Sequence, residues 1–176
     1  MRTGSWVLAA VVGVAIGFAL WTSSSVPDPV TRGSVAPAFS LARIPGPGEV
    51  SLAGLRGQVV LLNFWATWCE PCEREMPAMQ RLHEKLAPEG LRLVAVSVDE
   101  SSEVVEPFRA RFGLTFEILG DPDKRVADAY QAFKFPETLL IDRNGVVVER
   151  YIGPREWDSP LYEARLRRLL EGKDGA

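Results

Sequence analysis

Cysteine and histidine are nearly absent from this chain. Its 176 residues include two of the first and one of the second. Two cysteines cannot build a disulfide scaffold, and a bridge between positions three apart constrains little of the unfolded chain. The fold must rest on an apolar core, and a composition 47% hydrophobic and 24% charged is ordinary for one. The lone histidine, His83, lies between apolar positions of a helix-like stretch and reads as a packing or surface residue. With no companion cysteine or histidine near the pair, no zinc site can be assembled. Asp121 and Asp123 read as turn and capping residues, so no metal is expected. Basic blocks are also missing. Twenty Lys and Arg against 23 Asp and Glu leave a net charge of −3, and nucleic acid is not an expected partner. No internal repeat occurs, and the length suits a short extension plus one domain.

Trp6 to Trp21 is a run of 16 residues with no charge, preceded by Arg2. As a helix it would reach about 24 Å at 1.5 Å per residue, somewhat less than the roughly 30 Å hydrocarbon layer. Tryptophans at both ends suit the two headgroup zones. Ser23 and Ser25 offer only a weak signal-peptidase site, so an uncleaved anchor fits better than a cleaved leader. The two cysteines are far downstream, which excludes a lipoprotein anchor. The positive-inside bias puts the rest of the chain in the periplasm or another extracytoplasmic space. The expected division is a cytoplasmic n-region over 1–5, a transmembrane signal anchor over 6–24, a linker over 25–34 and a folded domain over 35–176. The Ser- and Pro-containing linker acts as a tether that raises the effective concentration of membrane-bound partners.

Within the domain, helix-like and strand-like segments alternate. Pro45-Gly-Pro-Gly48 is a turn before a short extended piece at Glu49–Leu52. Val59–Phe64 is a continuous apolar strand, as expected when both faces are buried. Helices are predicted over Glu70–Leu86, Ser102–Phe112 (irregular at first, because of Pro107), Lys124–Phe133 and Asp158–Glu171. The last carries an apolar side of Leu161, Leu166, Leu169 and Leu170. Further strands are predicted at Leu91–Val98 and Thr115–Leu119. Thr138–Ile141 and Val146–Tyr151 form a hairpin around Arg143-Asn-Gly145. The fold class is α/β, a mixed central sheet with helices on both faces.

The two cysteines are Cys69 and Cys72, in Trp65-Ala-Thr-Trp-Cys-Glu-Pro-Cys72. They sit where a buried strand ends and a helix begins. Free backbone N–H groups and the helix dipole stabilise a thiolate there. Cys69 is the exposed member that attacks a partner disulfide. Cys72, one turn in, then attacks Cys69 and releases the reduced partner. Pro71 costs no hydrogen bond in the first turn, and the charge of Glu70 opposes the dipole. Met79, Leu82 and Leu86 share a helical stripe with Glu75, which turns that carboxyl inward. There its pKa rises, and it can take the Cys72 proton; the alternative is that a kink at Pro77 turns Glu75 out to solvent, or that a nearby base pairs with it. Trp68 shields the sulfur pair, and Trp65 belongs to the core. Phe135-Pro136 directly precedes a buried strand. That position fits a sharp cis turn that would leave the Phe135 backbone free for a client strand, or an ordinary trans loop.

Several ordered motifs resemble the TlpA-like branch of the thioredoxin-fold proteins, including the ResA- and CcmG-type cytochrome c maturation reductases. They are Val35-Ala-Pro-Ala-Phe-Ser-Leu41, Leu55 through Cys72, Glu75-Met-Pro77 and Pro136-Glu-Thr-Leu-Leu-Ile-Asp-Arg-Asn-Gly145, and the match spans roughly residues 33 to 172. The resemblance implies a thioredoxin-like fold with an N-terminal hairpin extension and an inserted strand–helix element. It implies that Cys69 attacks, Cys72 resolves, Pro136 is cis and Glu75 is the active-site acid/base. Phe135 is a departure, bulkier than expected before that proline.

The expected function is a membrane-anchored thiol–disulfide oxidoreductase that reduces protein disulfides through Cys69 and Cys72, with no cofactor beyond that redox-active pair. Its client-binding residues are Trp68, Glu70, Pro71, Phe135 and Pro136. The resemblance implies an apocytochrome c-type client, a membrane electron donor of the CcdA/DsbD type, and contact with the inner membrane through the N-terminal helix. Two other classes remain open: a Cu(I) metallochaperone, since a thiolate pair can hold that ion, and a thiol peroxidase, since the Val35–Leu41 segment is shared with peroxiredoxins.

Overall fold

The computed structural model describes residues 11–14 and 28–172. The expected membrane span lies outside the described residues except for 11–14, which are helical. Among the described residues, no helix is long and apolar enough to cross a membrane.

A two-stranded antiparallel hairpin opens the fold, β1 (Ser40–Ala42) paired with β2 (Glu49–Ser51). Five further strands make one sheet: β3 (Val59–Trp65), β4 (Leu91–Ser97), β5 (Glu117–Gly120), β6 (Glu137–Ile141) and β7 (Val147–Ile152), in the order β5-β4-β3-β6-β7. The β3, β4 and β5 strands are parallel, and β6 and β7 run antiparallel. Among the described residues 28–172, four α-helices accompany them: α1 (Glu70–Leu86), α2 (Val105–Phe112), α3 (Arg125–Ala129) and α4 (Pro160–Leu170).

Every residue of β3 is buried, which is why its sequence shows no alternation. Leu61 and Leu62 are fully enclosed, each worth about 1.5–3 kcal/mol relative to exposure. Asn63 is the one polar residue in this strand. In register it stands opposite Thr138 of β6, and that pairing governs the site below.

The α1 helix has the predicted bounds. A 3-10 turn at Ser102–Val104 precedes α2, as the position of Pro107 suggested. The strand predicted at Thr115–Leu119 lies slightly later, at Glu117–Gly120. Two other expectations are corrected. The helix predicted over Lys124–Phe133 stops at Ala129. Asp121 caps it by accepting from the backbone N–H groups of Val126 and Ala127. Gln131 then takes a left-handed φ of 54°, and the Ala132 N–H closes the end on the Ala127 carbonyl. In α4, Leu166 and Leu169 are buried, but Leu161 is 74% exposed. Five residues before Leu166, it falls on a different side of a 3.6-residue turn.

Part of the expected linker is fastened to the domain. Val30 is buried. The Gly33 N–H donates to the Val147 carbonyl, and the Val147 N–H donates to the Ser34 carbonyl. The Asn144-Gly145 turn between β6 and β7 uses glycine at a φ of 74°, and the Asp142 side chain accepts from the Asn144 and Val146 N–H groups.

Candidate redox site

At the carboxyl end of β3 the chain leaves the sheet and starts α1 within five residues. That short connection is clamped from β4. The Asp99 carboxylate accepts from the Thr67 backbone N–H at 2.9 Å, the Thr67 hydroxyl at 2.7 Å and the Ser97 hydroxyl at 2.8 Å. The Val98 N–H reaches the Trp65 carbonyl at 3.0 Å. The loop presenting the cysteines is therefore held by partly buried polar contacts.

Cys69 occupies the cap position of α1 and Cys72 lies in its first turn, with Pro71 between them. The two are joined as a disulfide. The Cys72 backbone N–H points at Cys69 Sγ at 3.3 Å. A thiolate on Cys69 would meet this donor and the positive end of the helix. Cys69 is 6% exposed and Cys72 fully buried, so only the first offers a path to a client sulfur. Glu70 is exposed and paired with Arg74 at 2.6 Å.

The Trp68 ring is 66% exposed and stands edge-on to Phe135, with centroids 6.2 Å apart. This contact joins the residue preceding Cys69 to the loop preceding β6. The Phe135–Pro136 bond in that loop is cis. The Pro136 carbonyl accepts from the Gly153 N–H at 2.8 Å. The next residue, Glu137, is 2% exposed and receives Arg150 at 2.6 Å. The same guanidinium also donates to the carbonyls of Val30, Tyr130 and Gln131. One cation thus ties together the tether side of the domain, the end of α3 and the proline loop.

Glu75 lies one turn beyond Cys72 and is 2% exposed. Three donors converge on it. Asn63 Nδ2 reaches Oε1 at 2.9 Å, while the Arg155 backbone N–H and Trp157 Nε1 reach Oε2 at 3.2 and 3.1 Å. Asn63 Nδ2 also donates to the Thr138 hydroxyl at 2.9 Å. Burial pushes the Glu75 carboxyl up to about 7, against the lowering pull of these donors and of the Arg155 charge. A buried carboxyl poised there can hold or release a proton near neutrality.

The structure brings Cys69, Cys72, Glu75, Trp68, Phe135 and Pro136 to one end of the sheet, with Glu70 and Pro71 in the first turn of α1. His83 instead packs on Phe116, with ring centroids 6.0 Å apart. Sequence reasoning missed Asn63, Asp99, Thr138, Arg150 and Trp157. Asn63 had a visible signal, as the one amide in an apolar strand. Trp157 had none, being 82 positions from the carboxylate it touches.

A redox-capable cysteine pair on a helix start, backed by a mixed sheet and a cis-proline loop, defines a class of protein, the thioredoxin-like thiol–disulfide oxidoreductases. Comparison with known proteins agrees. The chain resembles the thiol-disulfide oxidoreductase ResA of Geobacillus kaustophilus (strain HTA426), 42% identical over 154 residues, covering 87% of this chain and 86% of the relative. The ResA of Bacillus subtilis (strain 168) is 36% identical over 154 residues, covering 87% and 84%. Among solved structures, a thiol:disulfide interchange protein from Bacteroides sp. aligns with a TM-score of 0.70 and 27% identity, over 83% of this chain and 95% of that one. A thioredoxin family protein from Chlorobium tepidum TLS aligns at 0.66 and 27%, over 82% and 98%. The AhpC/TSA family profile matches residues 32–150, and the chain belongs to that family. It is a thiol–disulfide oxidoreductase of ResA-like type.

Proposed function

We propose that this chain is a membrane-tethered, extracytoplasmic reductase of protein disulfides that serves cytochrome c maturation. The observation that carries the chemistry is the order of groups along α1: Cys69 at the cap, Cys72 buried in the first turn and the enclosed Glu75 one turn further. The Cys69 thiolate attacks one sulfur of a client disulfide, forming a mixed disulfide and freeing the other client sulfur as a thiolate. Cys72 passes its proton to Glu75, and its thiolate attacks Cys69 Sγ. The second client sulfur leaves and both client thiolates take up protons. Two electrons have moved to the client, and Cys69–Cys72 is a disulfide again. Recharging requires an external dithiol, for which a membrane donor of the CcdA/DsbD type fits. No other cofactor enters the cycle.

The client approaches alongside the Trp68–Phe135 pair, next to Pro136, with Glu70 and Pro71 on the rim. The anchor is the apolar run from Trp6 to Trp21 behind Arg2, and the names of the ResA relatives support the oxidoreductase reading.

Trapping tests this directly. A Cys72→Ser variant of the full chain cannot resolve its mixed disulfide and should accumulate covalent adducts with cysteine-containing envelope proteins, c-type apocytochromes among them. Recovery of no such partner, or fractionation of the catalytic domain with the cytosol, would refute the proposal.

A further inference from the structure

The segment between β7 and α4 holds the catalytic carboxyl as firmly as the helix that carries it. Trp157 is 1% exposed and packed between Tyr151 and Tyr162, with ring centroids 5.2 and 5.0 Å away. That enclosure accounts for a large ring at this position. Its indole N–H, however, is spent on Glu75 Oε2, the oxygen that also accepts the Arg155 backbone N–H. The backbone that presents both donors is itself shaped. The Arg155 guanidinium folds back onto the carbonyls of Ile152, Gly153 and Pro154. The Gly153 N–H binds the Pro136 carbonyl, so the loop spans from the proline loop to the carboxylate.

We propose that Trp157 is a positioning residue for the redox step: its indole N–H orients the Glu75 carboxylate toward Cys72 and sets how strongly that carboxylate holds a proton. This rests on the acid/base role of Glu75 proposed above. Each donor hydrogen-bonded to a carboxylate favours the charged form, so removing one raises the proton affinity. The groups that face Glu75 can be named element by element. The β3 strand brings Asn63, and the loop after β7 brings the Arg155 guanidinium and N–H together with Trp157. The α1 helix carries the Cys69–Cys72 pair one turn and more before it. Among these donors, only the indole N–H can be deleted while an aromatic ring still fills the space.

The test compares the pH profile of thiol reactivity of the reduced full-length protein, using iodoacetamide, in wild type, Trp157→Phe, Glu75→Gln and the double variant. In Trp157→Phe the midpoint of the Glu75-dependent step should rise by about one pH unit, the scale expected for losing one hydrogen bond to a charged group. In the Glu75→Gln background the same change should move nothing. A Glu75→Gln profile identical to wild type removes the acid/base role and this inference with it. A displaced Glu75→Gln profile beside an unmoved Trp157→Phe one overturns the inference alone, as does an equal displacement in both backgrounds. If Trp157→Phe fails to fold, the wild-type indole N–H resonance decides. It should titrate near neutrality and stop doing so in Glu75→Gln, and a flat resonance in the wild type overturns the proposal.

Discussion

Asn63 and Glu75 meet across the core at 2.9 Å, and the same amide nitrogen reaches Thr138 at 2.9 Å on the neighbouring strand. One side chain from β3 therefore links the helix that carries the cysteines to the strand that follows Pro136. The register dictates this. Asn63 is paired directly with Thr138, and strand partners place side chains on the same face.

Replacing Asn63 with Leu should remove that donor and leave the Glu75 and Thr138 oxygens short of a partner in the interior. A loss of roughly 1–3 kcal/mol is expected, read as a lower urea midpoint at unchanged slope. The Glu75 proton affinity should rise at the same time, because a group favouring the carboxylate has gone. An unchanged midpoint would show that the amide contributes nothing net.

Glu75 also makes stability depend on pH in a definite direction. Its carboxyl is pushed to about 7 in the folded protein from an ordinary 4.5. Between those values the folded chain keeps a proton that the unfolded chain has released. Stability from this group is therefore complete below pH 4.5 and is lost as pH rises through 7. The gap is worth on the order of 3 kcal/mol. The Glu75→Gln variant should lose this component, gaining stability relative to wild type as pH rises from 4.5 to 8. Urea melts of the oxidised protein at several pH values would measure it, and parallel curves for the two proteins would contradict it.

Arg150 is the third target. Its partner Glu137 is almost wholly enclosed, and an enclosed carboxylate without its cation costs far more than the pair is worth. Arg150→Ala should destabilise by about 3–5 kcal/mol. Arg150→Lys should recover only part of this, since one ammonium cannot serve the carboxylate and three carbonyls in the same geometry. Thermal unfolding supplies the comparison. Where Arg150→Lys stays folded, slower reduction of a protein disulfide with unchanged reactivity toward a small thiol reagent would place the damage in the proline loop.

Much of the local structure was legible along the chain. The bounds of α1 followed from Cys69 at the cap and Pro71 in the first turn, and the interior strand followed from the unbroken run at Val59–Phe64. The hairpin followed from Asn144-Gly145. These signals act over a few residues, so a linear reading captures them. The early end of α3 escaped it because Lys124–Phe133 contains no breaker. What stops the helix is the left-handed turn at Gln131, which frees the Tyr130 and Gln131 carbonyls for Arg150. Leu161 was placed on an apolar side by counting leucines, yet it faces solvent.

The amino-acid order by itself determined the sulfur pair, its place on a helix start, the inward turn of Glu75 and the alternation that builds a mixed sheet. All of these arise from spacing, capping and burial patterns within one or two elements. Only the folded arrangement decided what surrounds the carboxyl and the proline loop. Trp157 and Arg155 come to Glu75 from 82 and 80 positions away, and Arg150 reaches Val30 across 120. Contacts at such separations leave no periodic mark on the chain, because they depend on where strands and loops come to rest rather than on what stands next to what.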